Sequence, residues 1–158
     1  MFYLQAFKYI IGNSVNFNYN FVNGGGSGNM GKVGAILMGW GCDVFYLYDN
    51  DEGKRDGEIC LKSDWKIQPD IIKAVVSEPN STIADVLSNA DFKKYVIGDE
   101  TLKFKKNSKY LKDKKKDKVL LARLFLQTVK NSVVELNDES KCNIKALFKE
   151  LDFKLDKT

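Results

Sequence analysis

The spacing of apolar and polar residues changes along the chain, and each change predicts an element. Residues 2–11 are rich in apolar side chains and contain neither Gly nor Pro, which predicts a helix that ends at Gly12. Residues 15–22 alternate apolar with polar side chains at a period of two, which is typical of a half-buried strand. The glycine-rich residues 23–29 follow, and residues 30–40 have the spacing of an amphipathic helix.

The middle of the chain contains two further strand candidates. Residues 44–48 are a continuous apolar and aromatic run, which predicts a central strand buried on both faces. The run ends in the acidic residues 49–53. Residues 71–76 form the next apolar run, and Pro79 closes it.

Helical patterns dominate the C-terminal half. Residues 82–87 and 91–96 predict two short helices, with Ser81 as a cap for the first. The clearest helical spacing covers residues 118–129, and a last helix is predicted over about residues 140–151.

Strands that alternate with helices predict an α/β fold, a parallel sheet flanked by helices with a C-terminal helical extension. We expect an α/β core over residues 1–100, a lysine-rich loop over residues 101–117, and a helical segment over residues 118–158 that packs on the same domain. Ligands of such sheets bind at the carboxyl ends of the strands, where the glycine-rich segment and Asp49 both lie.

Composition excludes several kinds of chemistry. The sequence has no histidine, which excludes Ser-His-Asp and Cys-His catalysis and histidine-based zinc sites. The three cysteines, Cys42, Cys60 and Cys142, are far apart and odd in number, so they predict reduced thiols rather than disulfides. The sequence has no apolar stretch of about 18 residues and no signal-peptide pattern, so we expect a cytoplasmic protein without a membrane partner.

The positive charge is concentrated in one segment. Residues 103–118 contain nine lysines against Asp113 and Asp117, a local balance of +7, whereas the whole chain carries +4. A basic segment on a mildly acidic body predicts a polyanionic partner, and a solvated loop without a partner is the alternative. The candidate DNA-binding residues are Lys105, Lys106, Lys109, Lys112, Lys114, Lys115 and Lys116.

Two carboxylates follow the predicted central strand. Asp49 and Asp51 are two residues apart, so both can face one ligand if the chain turns at Asn50. Carboxylates held close together repel each other unless a cation lies between them, and oxygen ligands suit Mg²⁺ or Mn²⁺. The alternative is an acidic surface turn that caps the element after it.

The glycine-rich segment supports a second interpretation. Residues 26–31 fit the pattern GxGxxG between a predicted strand and a predicted helix, and Asp49 lies 18 residues beyond Gly31. This arrangement predicts a Rossmann-type nucleotide-binding module. However, residues 23–28 are longer than a tight phosphate-binding turn, and the pattern does not explain two acids at one strand end.

Several segments together resemble one known family. In chain order they are residues 24–29 (GGGSGN), 37–41 (LMGWG), 47–53 (LYDNDEG), 82–88 (TIADVLS) and 118–123 (KVLLAR). These segments are similar to the Toprim domain of the OLD-family (overcoming lysogenization defect) ATP-dependent endonucleases, and they cover nearly the whole chain in the family's order. The resemblance implies a Toprim-like, Rossmann-like parallel sheet.

The family's members are cation-dependent DNA nucleases, usually joined to an N-terminal ATPase domain and often linked to phage defence. By position, the resemblance implies that Asp49 and Asp51 are catalytic metal ligands and that Asp85 is a further ligand. It also implies a catalytic role for Lys118, which would neutralise phosphate charge. The glycine loop would comprise Gly24, Gly25, Gly26 and Gly28, and the partners would be DNA and an ATPase domain or subunit.

Two departures from the family modify this expectation. The family's first strand, which ends in a glutamate, would precede Met1, and Ala84 stands where the family has a second glutamate. Since a site that lacks carboxylate ligands holds its cation poorly, we expect weakly bound Mg²⁺ or Mn²⁺ and an isolated chain that is impaired in cleavage. A non-catalytic domain that binds a partner is the alternative.

Overall fold

A computed structural model of the chain describes residues 1–12, 19–51, 72–74, 76 and 78–155. Helices make up most of this part. The regular elements are α1 (Phe2–Ile11), α2 (Met30–Gly39), β1 (Tyr46–Tyr48), β2 (Ile72–Ala74), α3 (Asn89–Asp91), α4 (Asn107–Asp113), α5 (Lys118–Asn131) and α6 (Asp138–Leu155). Short 3₁₀-helices cover Ser27–Asn29 and Ile83–Val86, and a π-helix over Phe92–Ile97 continues α3. Across the described ranges, none of the helices is long and apolar enough to cross a bilayer.

The structure confirms the predicted helices that have a strong helical period. Helix α1 has the predicted bounds and ends at Gly12, which has a φ of 53°. Helices α2 and α5 begin at the predicted residues, and α6 begins and ends within a few residues of the prediction. In α1, α5 and α6 the buried side chains recur at helical spacing, so packing of one face stabilises each of these helices.

The predicted parallel sheet flanked by helices is wrong. In the described residues, the pairing consists of three residue pairs between the parallel strands β1 and β2, from Tyr46 with Ile72 to Tyr48 with Ala74. The described part of the strand predicted over residues 15–22, which is residues 19–22, is not in a strand, and residues 15–18 lie outside the described residues. The described residues of these segments therefore do not form a Toprim-like or Rossmann-like sheet.

The physical reason is visible in β1. A central strand of a doubly wound sheet is buried on both faces. In β1 the burial alternates, because Tyr46 and Tyr48 are buried and Leu47 is only half-buried. The continuous apolar run predicted a central strand, but the side chains on one face of β1 remain partly exposed to solvent.

The chain forms two compact units, and each has its own core. Unit 1 comprises Met1–Phe21 and Ile83–Lys149, and unit 2 comprises Val22–Thr82 and Glu150–Thr158.

In unit 1, α1 packs along α5. The contact includes three buried rings, Tyr3, Phe7 and Phe125, whose centroids are 5.8 to 6.3 Å apart. Aromatic pairs at such distances contribute beyond their buried area, so this cluster stabilises the contact between the two helices.

A polar network, whose members Ser88, Asp91 and Ser140 are buried, joins the start of α3 to the start of α6 within unit 1. Asn137 Nδ2 donates to Ser88 Oγ at 2.7 Å, and its Oδ1 accepts from the backbone N–H of Ser140 at 2.9 Å. The Ser140 hydroxyl in turn accepts from the Ser88 N–H, and Asp91 Oδ2 accepts from the Asn137 N–H. These bonds satisfy helix-end amides that have no intrahelical partner.

The core of unit 2 is built on β1. Tyr46 and Tyr48 are buried, and Met30, Met38 and Val44 pack against them. A Cβ added to Gly34 would overlap the Tyr46 ring, so α2 requires glycine at this position to let β1 approach.

Candidate functional site

The lysine-rich segment, expected to be a loop, contains helix α4 and is fixed to unit 1. Asn107, the first residue of α4, is 1% exposed. Its Nδ2 donates to the carbonyl oxygens of Ala84 and Leu87, both at 2.8 Å. Since a buried amide that makes two such bonds is costly to displace, Asn107 fixes the start of α4 on the segment that contains Ala84 and Leu87.

Two further contacts orient α4. The backbone N–H of Ser108 lies in the first turn, where amides have no intrahelical partner, and it donates to Asp85 Oδ1 at 3.0 Å. Leu111, one turn later, is buried. Asn107, Ser108 and Leu111 thus form the buried face of the helix, and Lys109 and Lys112 are exposed on the other side.

The chain before α4 is held by an aromatic contact. The rings of Phe104 and Tyr110 stack with centroids 4.4 Å apart, and Phe92 packs edge-on against Phe104. Asn89 Nδ2 donates to the Phe104 carbonyl oxygen at 3.3 Å, and Lys93 Nζ lies 5.3 Å from the centroid of the Phe104 ring. These contacts therefore fix the residues that precede α4, and Lys93 places a further cation beside them.

Most of the predicted DNA-binding lysines are exposed on α4 and on the residues next to it. Lys106 differs from them because it is half-buried and makes contacts within the protein. We define the lysine surface as the exposed lysines of residues 105–118, namely Lys105, Lys109, Lys112, Lys114, Lys115, Lys116 and Lys118.

A tight turn presents three of these lysines together. Helix α4 ends with the Lys116 N–H donating to the Leu111 carbonyl oxygen at 3.0 Å and the Lys115 N–H donating to the Lys112 carbonyl oxygen at 3.1 Å. This pair of bonds is a Schellman motif, which places the residue after the C-cap in the left-handed conformation. Lys115 occupies that position with a φ of 47°, where glycine is usual.

Helix α5 begins directly after this turn. Asp117 Oδ1 accepts from the backbone N–H groups of Val119 and Leu120, both at 2.9 Å, so Asp117 is the N-cap. The carboxylate therefore stabilises the start of α5, and the turn at Lys114, Lys115 and Lys116 is held by ordered helix ends on both sides.

The predicted acidic turn lies in unit 2, at the end of β1. Asp49 is half-buried and Asp51 is exposed in a turn. Asn50 between them is buried, forms a bridge with Ser81, and donates from Nδ2 to the Glu78 carbonyl oxygen at 3.1 Å. Asn50 thus holds the backbone between the two carboxylates in place.

The glycine loop is also in unit 2, and its described contacts stabilise the start of α2. Gly25 and Gly26 have φ values of 69° and 108°, which strongly favour glycine. Asn29 Nδ2 donates to the Gly25 carbonyl oxygen at 3.3 Å, and a Cβ on Gly24 would overlap the side chain of Met30. The positive φ values give Gly25 and Gly26 structural roles.

The predicted catalytic and metal-binding residues are divided between the two units. Asp49 and Asp51 belong to unit 2, whereas Asp85 and Lys118 belong to unit 1. Asp85 accepts the bond from Ser108 and is therefore part of the support of α4. Among the residues that the structure describes, no three Asp, Glu, Cys or His side chains form a group that could hold a metal ion. The catalytic and metal-binding roles of these residues stay predictions.

Comparison with known proteins identifies no relative of the chain. No family model, curated protein or solved structure matches the chain. The resemblance to OLD-family endonucleases therefore remains an interpretation of the sequence alone.

The sequence pattern did not predict the residues that support the lysine surface. Asn107, Ser108 and Leu111 have the spacing of one helical face, but they are surrounded by lysines that predicted a loop. The spacing of these three residues, together with the aromatic residues Phe104 and Tyr110, is the signal that could have identified α4.

Proposed function

We propose that the chain binds duplex DNA through the lysine surface of unit 1. The observation that carries the proposal is that exposed lysines lie on a short helix and turn whose backbone is fixed by Asn107 and Ser108. Ordered cations lose less conformational freedom on binding than cations on a flexible loop. We also propose that the protein acts in the cytoplasm, as the sequence predicts.

The charge of the surface suits a nucleic acid. Helix α4 has seven residues, so it is about 10 Å long. Duplex DNA carries about one phosphate charge per 1.7 Å of helix axis when both strands are counted, so about six phosphate charges lie along this length of duplex and only those on the near side face the protein. The lysine-rich segment, residues 103–118, has a net charge of +7, of which residues 107–113 of α4 contribute +1, so most of the positive charge lies in the chain before α4 and in the turn after it.

The proposal does not include cleavage by the isolated chain. Ala84 stands at a position where the resemblance implies a glutamate, so the carboxylates of Asp49 and Asp51 would have to organise Mg²⁺ or Mn²⁺ with fewer acidic ligands. We expect weak divalent-cation binding in unit 2 and DNA binding without hydrolysis.

The test is fluorescence anisotropy of a labelled DNA duplex over a series of KCl concentrations. Replacing Lys112, Lys114, Lys115 and Lys116 by Ala should flatten the plot of log K against log salt by up to about 0.9 for each phosphate that the variant no longer neutralises. The matched control replaces four other exposed lysines, Lys130, Lys141, Lys145 and Lys149, and changes the net charge equally.

The possible outcomes distinguish DNA binding through the lysine surface from DNA binding that depends only on the net charge of the chain. Equally weakened binding in both quadruple variants would show that only net charge matters, and no binding of the wild-type chain at low salt would refute the proposal. Plasmid incubated with Mg²⁺ or Mn²⁺ should stay intact. Nicking that disappears in Asp51→Ala would instead establish a nuclease.

A further inference from the structure

Helix α5 exposes apolar side chains next to the lysine surface. Ala122, Phe125, Leu126 and Val129 are buried and form the inner face of the helix. On the outer face of its first two turns, Val119, Leu120 and Leu124 are 65%, 52% and 46% exposed. We call these three side chains the α5 patch.

Three cations lie beside the α5 patch. Lys116 and Lys118 precede it, and Arg123, one turn after Val119 and Leu120, is exposed on the same side of the helix. The nearest carboxylate in the sequence is Asp117, whose Oδ1 is bonded to two backbone amides. The patch is therefore an apolar surface with three cations on its rim and with Asp117 as the nearest carboxylate along the chain.

We propose that the α5 patch docks an acidic amphipathic helix of a partner protein. Leucine or similar side chains of that helix would cover Val119, Leu120 and Leu124, and its flanking carboxylates would pair with the cations at the rim. Exposed apolar patches with a polar rim mark interaction sites, and complementary charge increases the rate and specificity of association.

Two other ligands suit the α5 patch less well. Phosphates gain nothing from valine and leucine side chains, so DNA bound to the lysine surface leaves the patch unexplained. A membrane is disfavoured because the patch has fewer apolar carbons than one myristoyl chain, which alone gives only marginal membrane binding. The inner face of α5 cannot contribute, since its apolar side chains are buried.

The docking does not require the proposed DNA binding, but the two surfaces adjoin at Lys116 and Lys118. If both exist, the partner helix and DNA compete for these lysines. The partner would then regulate DNA binding by occupying the same cations.

The test uses a synthetic peptide with leucines at helical spacing and glutamates at the other positions, labelled for fluorescence anisotropy. A second peptide of the same composition has the leucines scrambled around the helix. The wild-type chain should bind the first peptide at least about tenfold more tightly than the second. Replacing Leu120 and Leu124 by Ser should remove this preference, whereas Val133→Ser, which changes another exposed valine, should keep it.

Circular dichroism first establishes that each variant is folded. Leu120→Ser/Leu124→Ser should keep wild-type affinity for the DNA duplex, because it leaves every lysine in place. The proposal is overturned if both peptides bind equally, or if neither binds. It is also overturned if the wild-type chain binds vesicles containing phosphatidylserine and the double variant does not, while the double variant still binds the peptide, because the patch would then be a membrane contact.

Discussion

The backbone N–H of Ser108 donates a hydrogen bond to Asp85 Oδ1 at 3.0 Å. The sequence predicted Asp85 as a metal ligand, and in the structure its carboxylate supports the first turn of the helix that carries the lysine surface.

Asp85→Ala should therefore lower the free energy of unfolding by about 1–3 kcal/mol, because it removes the acceptor of a first-turn amide in a buried residue. Asp85→Asn removes the same charge but keeps an oxygen that can accept the bond, so it should be closer to wild type. Urea unfolding measures the difference. If α4 must be oriented to bind DNA, the Ala variant also binds the duplex more weakly than the Asn variant. Equal stability of the two variants would contradict the structural role.

The packing of β1 on α2 gives a test of unit 2. Gly34→Ala should destabilise this unit by about 1–3 kcal/mol, because the added Cβ would overlap the Tyr46 ring. Gly39→Ala is the matched control in the same helix, since a Cβ there meets nothing within 4 Å, and it should stabilise α2 by up to about 1 kcal/mol. Hydrogen exchange of the α2 amides measures both effects. Faster exchange in both variants would contradict the close contact.

Burial in the core of unit 1 predicts a dependence of stability on alkaline pH. Burial raises the pKa of the Tyr3 hydroxyl well above its ordinary value of 10.0, and the Asp85 carboxylate raises it further. Because the folded state prefers the neutral form, the contribution of Tyr3 is fully present below about pH 10 and falls as the pH rises towards the folded-state pKa.

Tyr3→Phe should abolish this part of the alkaline destabilisation. In the described part of the chain the buried Tyr3 hydroxyl has no hydrogen-bond partner, so the variant should also gain about 1 kcal/mol at neutral pH. Urea unfolding from pH 8 to pH 11 gives both quantities, and Tyr9→Phe is the control because Tyr9 is 60% exposed on the same helix. Parallel pH profiles for wild type and Tyr3→Phe would contradict the assigned pKa shift.

The sequence predicted elements whose burial pattern is local and missed those that depend on distant contacts. Helices α1 and α5 were predicted because their buried residues recur along one face. Helix α4 was missed because lysines surround its few buried residues, and the carbonyl oxygens that fix Asn107 lie 20 and 23 residues away along the chain. The parallel sheet was wrongly predicted because an apolar run such as residues 44–48 does not show whether one face or both will be covered.

The candidate site was predictable in composition but not in geometry. The lysine cluster is evident from charge alone, whereas the exposure of Lys115 and the partial burial of Lys106 depend on how α4 is seated. The structural roles of Asp85 and Asn50 could not be predicted either, since both side chains bond to backbone groups far along the chain.

Lys115 provides the last test, because its backbone conformation favours glycine whereas DNA binding would favour the charge of lysine. Its φ of 47° is the left-handed conformation, which costs a residue with a side chain about 1 kcal/mol or more relative to glycine. Lys115→Gly should therefore raise the free energy of unfolding by about 1 kcal/mol. If Lys115 contacts a phosphate, the same change should weaken DNA binding and reduce the salt slope by about 0.9.

Lys114→Gly is the control, since Lys114 has a φ of −90° and gains nothing from glycine. This variant removes the same charge one residue away and should be slightly less stable than wild type, because glycine raises the entropy of the unfolded chain. Urea unfolding and the salt titration of duplex binding are measured on both variants. Opposite changes in stability with similar decreases in DNA affinity would mean that Lys115 is retained for its charge at the expense of stability. A gain in stability with unchanged DNA binding would exclude Lys115 from the interface, and a decrease in stability in Lys115→Gly would contradict the left-handed turn.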